Sequence, residues 1–294
     1  MAKRILMIVG MVFCLPGLAL AQSATLEQYL GFLSSTTNQQ ANEQTTGEFY
    51  KQSFGFWMAN KVEYNDNPSK YKKAMDLYHQ GQQKFIRNRD IKIDRFESTI
   101  ESYRRFDARN TLPDDPILFV GSSSIVFWET SNSFPDLPVV NRGFGGASLP
   151  EVIHYYDDVI KKHNPSMMIV YCDIDVEQGR SPEFSVNAFK KLISKVEEDF
   201  PGTPIVLLSM KPTLIDDVLG KEVRENKLIT NQKLIEYTNS QENLHYIDLA
   251  SPMMKENGSL KAEIFLDDGM HLNPLGYTLW DPVMRAEINR IRRN

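Results

Sequence analysis

Cysteine is almost absent from this chain of 294 residues: Cys14 and Cys172 are the only two. A scaffold stapled by several disulfides is therefore excluded. Metal chemistry has as little support. The five histidines, His79, His154, His163, His245 and His271, are scattered, and no Cys/His pair stands at zinc spacing. Positive charge is not in excess either. The 33 Lys and Arg face 38 Asp and Glu, a formal charge of −5, which suits neither nucleic acid nor an anionic membrane surface. No Gly-Lys-Ser/Thr follows the glycine-rich stretch at 143–146, and the strict Gly-x-Gly-x-x-Gly spacing is missing, so a phosphate loop and a dinucleotide fold are disfavoured.

What is present begins with an address. Met1-Ala2-Lys3-Arg4 is a short basic start, Ile5 to Leu20 is mostly apolar, and Ala19-Leu20-Ala21 is a small-x-small site before Gln22. Residues 1–21 read as a secretory signal peptide, with an uncleaved N-terminal anchor as the alternative. The apolar stretch contains Pro16 and Gly17 and is short for a membrane span. Cys14 lacks the small residues of a lipoprotein box before it, so lipidation is not expected. The expected location is secreted or periplasmic, with no stable membrane anchor after cleavage. Without residues 1–21, which carry Lys3 and Arg4 and no acid, the charge becomes −7 and Cys172 stands alone. Cys172 follows the apolar run Met167–Tyr171 and reads as a buried small residue rather than a nucleophile.

Two textures follow. Residues 22–110 are rich in Gln, Asn, Lys and aromatics and show no strand-like run. Tyr50, Phe54, Trp57 and Met58 fall at helical spacing, as do Ile93, Phe96, Ile100 and Tyr103. Ser35–Thr46 reads as a linker and Asn65-Asp66-Asn67-Pro68 as a break, giving a helical N-terminal extension of two to four helices. Its aromatics either pack against the main domain or cover a site. In the domain 111–294, apolar runs at Ile117–Val120, Val139–Val140, Met167–Tyr171, Ile205–Leu208 and Tyr246–Leu249 alternate with helical patterns at 149–162, 182–200, 221–239 and 274–292. Strands alternating with helices of this length predict a parallel sheet covered on both faces, with reactive groups at the C-terminal strand ends.

Chemistry is concentrated in three segments. In Asp268-Gly269-Met270-His271 an Asp three residues before a His can turn its carboxylate onto the imidazole and fix its tautomer. That imidazole can take a proton from a serine. Far upstream, Ile117 to Ile125 reads as a buried strand ending in a tight turn that presents one. Taken alone, Gly121-Ser122-Ser123-Ser124 is as readable as a helix cap, and Ile125 rules out the Gly-x-Ser-x-Gly elbow. The third segment, Val139 to Ser148, places three glycines after a strand, which suits an anion nest, an oxyanion donor or a plain crossover turn. The order Ser, Asp, His suggests a serine hydrolase.

Together these segments resemble the SGNH hydrolase superfamily, also called the GDSL-type esterases and lipases. The marks are the strand-Gly-Ser-Ser-Ser-Ile turn, Asn141-Arg142-Gly143-Phe144-Gly145-Gly146, and Asp268-Gly269-x-His271-Leu272-Asn273-x-x-Gly276-Tyr277. Smaller marks are Trp128, Lys211-Pro212 and Trp280, and the resemblance runs from about Phe96 to the C-terminus. It implies a three-layer α/β/α fold on a parallel, five-stranded, flavodoxin-like sheet. It implies Ser123 as nucleophile, His271 as base and Asp268 as its orienter. The backbone N–H groups of Ser123 and Gly146 would be oxyanion donors.

One block departs from the family pattern, while a second difference, at position 122, is familiar from subfamilies and is no defect. Ser122 stands where the family usually has Asp. The third block, normally Gly-x-Asn-Asp with the Asn as a third oxyanion donor, reads Tyr171-Cys172-Asp173-Ile174-Asp175-Val176-Glu177-Gln178-Gly179. Counted from the strand, the Asn position is Asp175; counted back from Gly179-Arg180-Ser181-Pro182, it is Ile174. Neither replaces the donor, and losing one typically slows acyl transfer by about 10²–10³-fold. Asp173 and Asp175 otherwise read as solvated or capping acids, Asp248 as structural, and His245 as a surface residue before the last strand. The expectation is a secreted serine esterase working through an acyl-serine intermediate on acetylated glycans or lipid acyl esters, weakened or substrate-restricted. A non-catalytic glycan-binding module is the alternative. The resemblance implies no metal or organic cofactor, and composition carries no signal for oligomeric state. No long apolar lid argues for a true lipase.

Overall fold

Every residue of strand β1, Ile117–Gly121, is buried, and its side chains leave alternately to two separate cores. Ile117 and Phe119 enter one core, Leu118 and Val120 the other. The same division holds for β3 (Met167–Tyr171) and β4 (Ile205–Leu208), as a sheet covered on both faces requires. With β2 (Val139–Gly143) and β5 (Leu244–Ile247) they form one parallel sheet in the order β2-β1-β3-β4-β5. The computed structural model describes residues 24–85 and 93–293; the expected export signal, residues 1–21, lies outside the described residues.

The helices that precede the sheet are α1 (Leu26–Thr36), α2 (Glu43–Asp66), α3 (Pro68–Lys84) and α4 (Glu97–Asp107). Between and after the strands come α5 (Ser123–Val126), α6 (Thr130–Ser133), α7 (Leu149–His154), α8 (Tyr156–Val159), α9 (Ile174–Glu177), α10 (Pro182–Asp199), α11 (Asp216–Leu219), α12 (Val223–Thr238) and α13 (Pro274–Ile291). Helices α4, α7, α8, α10 and α12 cover one face; α13 covers the other, and α1–α3 share its core. The three-layer α/β/α arrangement with a helical N-terminal part is thus the one expected. Among the described residues no helix is long and apolar enough to cross a membrane.

Several boundaries differ from expectation, each for a local reason. The stretch outside helices between α1 and α2 is only 37–42, because Asn42 and Thr45 cap α2 reciprocally at 2.9 Å each way. The break at 65–68 narrows to Asn67, with Pro68 opening α3 where a missing N–H does no harm. Ile93 precedes α4 and is exposed. The helix expected at 149–162 is broken at Tyr155 (φ −95°, ψ 20°), without a Gly or Pro to mark it. Strand β5 lies two residues earlier than expected, since Leu244 and Ile247 pair with Ile205 and Leu208. His245 is therefore in the strand and half-buried, not before it. Asp248 accepts the N–H groups of Ala250 and Ser251 and closes the turn that follows.

The N-terminal helices are fixed to the main domain, not laid loosely over it. Phe49, Phe56, Trp57, Tyr71 and Tyr78 are buried in the core that also takes Ile215, Trp280 and Met284. Polar bonds mark the join. The Tyr64 hydroxyl donates to Asp217 (2.8 Å), Tyr78 donates to the Val218 carbonyl (3.0 Å), and Asn65 exchanges two bonds with Leu260 (3.0 Å each).

Candidate functional site

The serine turn is built by Gly121. Its φ of +138° and the Tyr171 carbonyl, 1.7 Å from where a Cβ would stand, leave room only for glycine. The chain leaves β1 sharply, with Ser122 N–H on the Tyr171 carbonyl (3.1 Å) and Phe144 N–H on the Gly121 carbonyl (2.9 Å). Of the three serines, Ser122 and Ser124 are buried, and only Ser123 is partly open. Tyr277 of the late Gly-Tyr pair ties the short α5 down by donating to the Ser124 carbonyl at 2.8 Å.

His271 reaches that serine from a tied loop. Phe265 and Leu272 form an antiparallel bridge, and Leu266 N–H bonds the His271 carbonyl at 2.8 Å. Nε2 of His271 lies 2.9 Å from Ser123 Oγ, and its Nδ1 lies 2.6 Å from Asp268 Oδ2. The other Asp268 oxygen accepts the N–H groups of Met270 and His271, both at 2.9 Å. Burial works to raise the Asp268 pKa, but the bonds from the His271 ring and from these amides outweigh it and hold the carboxyl at about 2. A carboxylate on Nδ1–H leaves Nε2 free to accept the serine proton. Phe127 packs edge-on to the imidazole with ring centres 4.9 Å apart. Val126, Leu266 and Leu275, each at least 40% exposed, stand within four residues of Ser123, Asp268 or His271.

The glycine segment ends in a turn closed by Ala147 N–H on the Phe144 carbonyl (3.1 Å), with Gly146 at φ +81° and no positive φ at Gly145. This is the pattern of a type II turn, whose third position calls for glycine. Among the described residues, neither Gly146 N–H nor Ser123 N–H has a hydrogen-bond acceptor. Both amides are thus free to donate to a ligand.

The third block does not supply a further donor. Asp175 is buried, and its Oδ2 caps α7 by accepting Leu149 N–H at 3.1 Å; Oδ1 is buried with no partner among the described residues. Burial, with Glu151 adding to it, pushes its pKa up to about 6. Ile174, the other position considered, is partly open. The expectation that Asp173 and Asp175 are solvated or capping is met only by Asp175, as a cap; Asp173 is neither. Asp173 is buried beneath the serine turn, 2.6 Å from the Tyr171 hydroxyl and 3.5 Å from both Ser122 Oγ and Lys211 Nζ. Lys227, also buried, bonds Glu177 (2.7 Å) and Asp216 (2.9 Å). Cys172 is buried, and burial, then the nearby Asp175 and Asp173, pushes its thiol well above the usual range, as an inert core residue requires. Among the described residues no group of three His, Cys, Asp or Glu could hold a metal.

Residues 128–279, just over half of the chain, match the GDSL-like lipase/acylhydrolase family. The chain belongs to that family. The match opens five residues after Ser123, so the serine turn itself lies outside it. In sequence, the chain is 29% identical over 128 residues to a protein named peptidyl-tRNA hydrolase from Clostridium botulinum (strain Alaska E43 / Type E3), covering 41% of this chain and 65% of that protein. A second strain of that species has a counterpart at 28%. The chain thus spans 65% of the length of these relatives. In structure it is similar to a candidate platelet activating factor from Streptococcus pneumonia, with TM-score 0.59, 21% identity, and 65% of this chain and 91% of that one covered. It is also similar to a GDSL-like lipase from Bacteroides thetaiotaomicron, with TM-score 0.54, 15% identity, and 66% and 98% covered. At these identities the likeness concerns the fold.

Sequence reading missed Phe127 and Arg95. Phe127 carried no signal beyond its place next to Trp128. Arg95 donates to the Gly146 carbonyl (2.6 Å) from a polar position between the periodic apolar residues Ile93 and Phe96, where a charge reads as solvent-facing.

Proposed function

We propose that the protein is an exported serine esterase that hydrolyses carboxylic esters through an acyl-serine intermediate. The observation that carries this reading is the continuous path from Ser123 Oγ through both nitrogens of His271 to Asp268, at 2.9 and 2.6 Å. As His271 takes the hydroxyl proton, Ser123 Oγ attacks the ester carbonyl and the carbonyl oxygen becomes an oxyanion. The N–H groups of Ser123 and Gly146 receive that charge. The tetrahedral adduct collapses, the alcohol leaves with the proton from His271, and water activated by the same imidazole releases the acid.

The substrate class follows from supports of different kinds. The signal-like residues 1–21 favour esters outside the cytoplasm, such as acetylated glycans or lipid acyl esters. Apolar Val126, Leu266 and Leu275 near the reacting residues suit the acyl side. A net charge of −7 without residues 1–21 disfavours a polyanionic partner such as tRNA. Hydrolysis of p-nitrophenyl acetate by wild type and Ser123→Ala tests the reading. Activity lost in the variant supports it. Equal background rates in both would overturn it for simple esters and favour a binding module.

A further inference from the structure

The glycine turn has an external anchor that comes from outside the family match. Gly145 and Gly146 are the softest pair of backbone positions in the site, and an oxyanion donor on such a turn works only if its direction is fixed beforehand. The segment from Arg95 to Asp107 grips this turn on both flanks. Tyr103 of α4 donates its hydroxyl to the Gly143 carbonyl, and Arg95 Nη2 donates to the Gly146 carbonyl at 2.6 Å. The arginine is itself held by Glu151, through Nε at 2.5 Å and Nη2 at 3.1 Å, and its guanidinium lies 4.4 Å from the Phe96 ring centre. Glu151 is fully buried and also accepts the N–H (2.8 Å) and hydroxyl (2.7 Å) of Ser148, so the arginine rests on a fixed base. Its planar fork can serve carboxylate and carbonyl together, which a lysine cannot do with the same geometry.

We propose that Arg95 is a positioning residue for the Gly146 oxyanion donor, locking the turn that aims this amide at the reacting carbonyl oxygen. The proposal rests on the ester hydrolase reading. It gives the segment before α4 a role in the reaction, and with two backbone donors and no side-chain donor from the third block, each must be well aimed.

The test uses the full chain as wild type, Arg95→Ala, Arg95→Lys and Ser123→Ala. Hydrolysis of p-nitrophenyl acetate is normalised to the sites that react with a fluorophosphonate, and thermal melts are run in parallel. Arg95→Ala should lower kcat per titrated site by roughly 10- to 100-fold, with KM within about twofold and the pH midpoint of kcat unmoved. Arg95→Lys should recover part of the loss. A kcat per titrated site equal to wild type in Arg95→Ala, whatever happens to the melting temperature, would overturn the proposal. Should that variant not fold, Arg95→Met keeps an unbranched side chain beside Phe96, loses the donors and the charge, and decides in the same way. A wild-type rate no higher than that of Ser123→Ala would remove the esterase reading itself, and this proposal with it.

Discussion

His271 Nε2 lies 2.9 Å from Ser123 Oγ across 148 residues of sequence, and Asp268 holds the opposite ring nitrogen at 2.6 Å. The long-range contact is made by the sheet and α13; the short-range one is local to a four-residue loop. Separate substitutions should therefore fail differently. Ser123→Ala and His271→Ala should each lose about 10³-fold or more in kcat with little change in melting temperature. Asp268→Asn should keep the fold but favour the wrong imidazole tautomer, with a loss of roughly 10²–10⁴-fold. Steady-state rates beside thermal melts check this, and a fully active Asp268→Asn would contradict the assigned role.

Asp268 also links activity to acid stability. Its carboxyl is held at about 2, below the ordinary range, so its bonds to His271 and Met270 stabilise the fold above about pH 4. That contribution is lost as pH falls from about 4 through 2. Asp268→Asn should lose part of this pH dependence, seen as a smaller fall in melting temperature between pH 5 and pH 2.5 than in wild type.

Gly146 is a test of backbone geometry. There is open space where a Cβ would stand, so Gly146→Ala meets no clash, but φ +81° is strained for any L residue. The expected cost is about 1–2 kcal/mol of stability if the turn is kept. If the turn relaxes instead, the amide is re-aimed and kcat falls by roughly 10-fold or more. Chemical denaturation and kinetics together distinguish the two, and one of the two effects is required.

What the sequence could show was what is local. Ile117–Val120 and Met167–Tyr171 are buried on both faces and so appear as unbroken apolar runs. The Asp268–His271 spacing is readable because three residues suffice to fold one side chain onto the other. Strand β5 was misplaced because an edge strand reading Leu-His-Tyr-Ile, with two half-buried positions, carries little apolar signal. Lys211, Lys227, Asp173, Glu177 and Asp216 look like ordinary surface charges, yet all are buried, because their partners lie in other segments. Arg95 was illegible for the same reason, its two acceptors being more than fifty residues away.

The N-terminal helices should melt together with the main domain. Trp57 is fully buried in a core continuous with Trp280 and Met284. Trp57→Ala should cost about 3–5 kcal/mol, or roughly 10 °C in melting temperature, in a single transition. Two resolved calorimetric transitions would show instead that α1–α3 fold on their own.

Asp175 gives a prediction of opposite sign. Its carboxyl is buried, has one oxygen without a partner among the described residues, and titrates at about 6 rather than near 4. Above pH 6 the folded protein must keep a buried charge that the unfolded chain holds at no cost in water, so this group destabilises the fold there. The penalty fades as pH falls from 6 and is gone below about 4, where both states are protonated. Asp175→Asn removes the charge while keeping an oxygen for Leu149 N–H, so it should stabilise the protein by about 1–3 kcal/mol at pH 8. At pH 4 the gap should close or reverse, because the acid is then neutral in both states. Urea unfolding of the pair at pH 8, 6 and 4 reads this directly. A gap that stays constant with pH would mean that Asp175 titrates normally and that burial does not govern its charge.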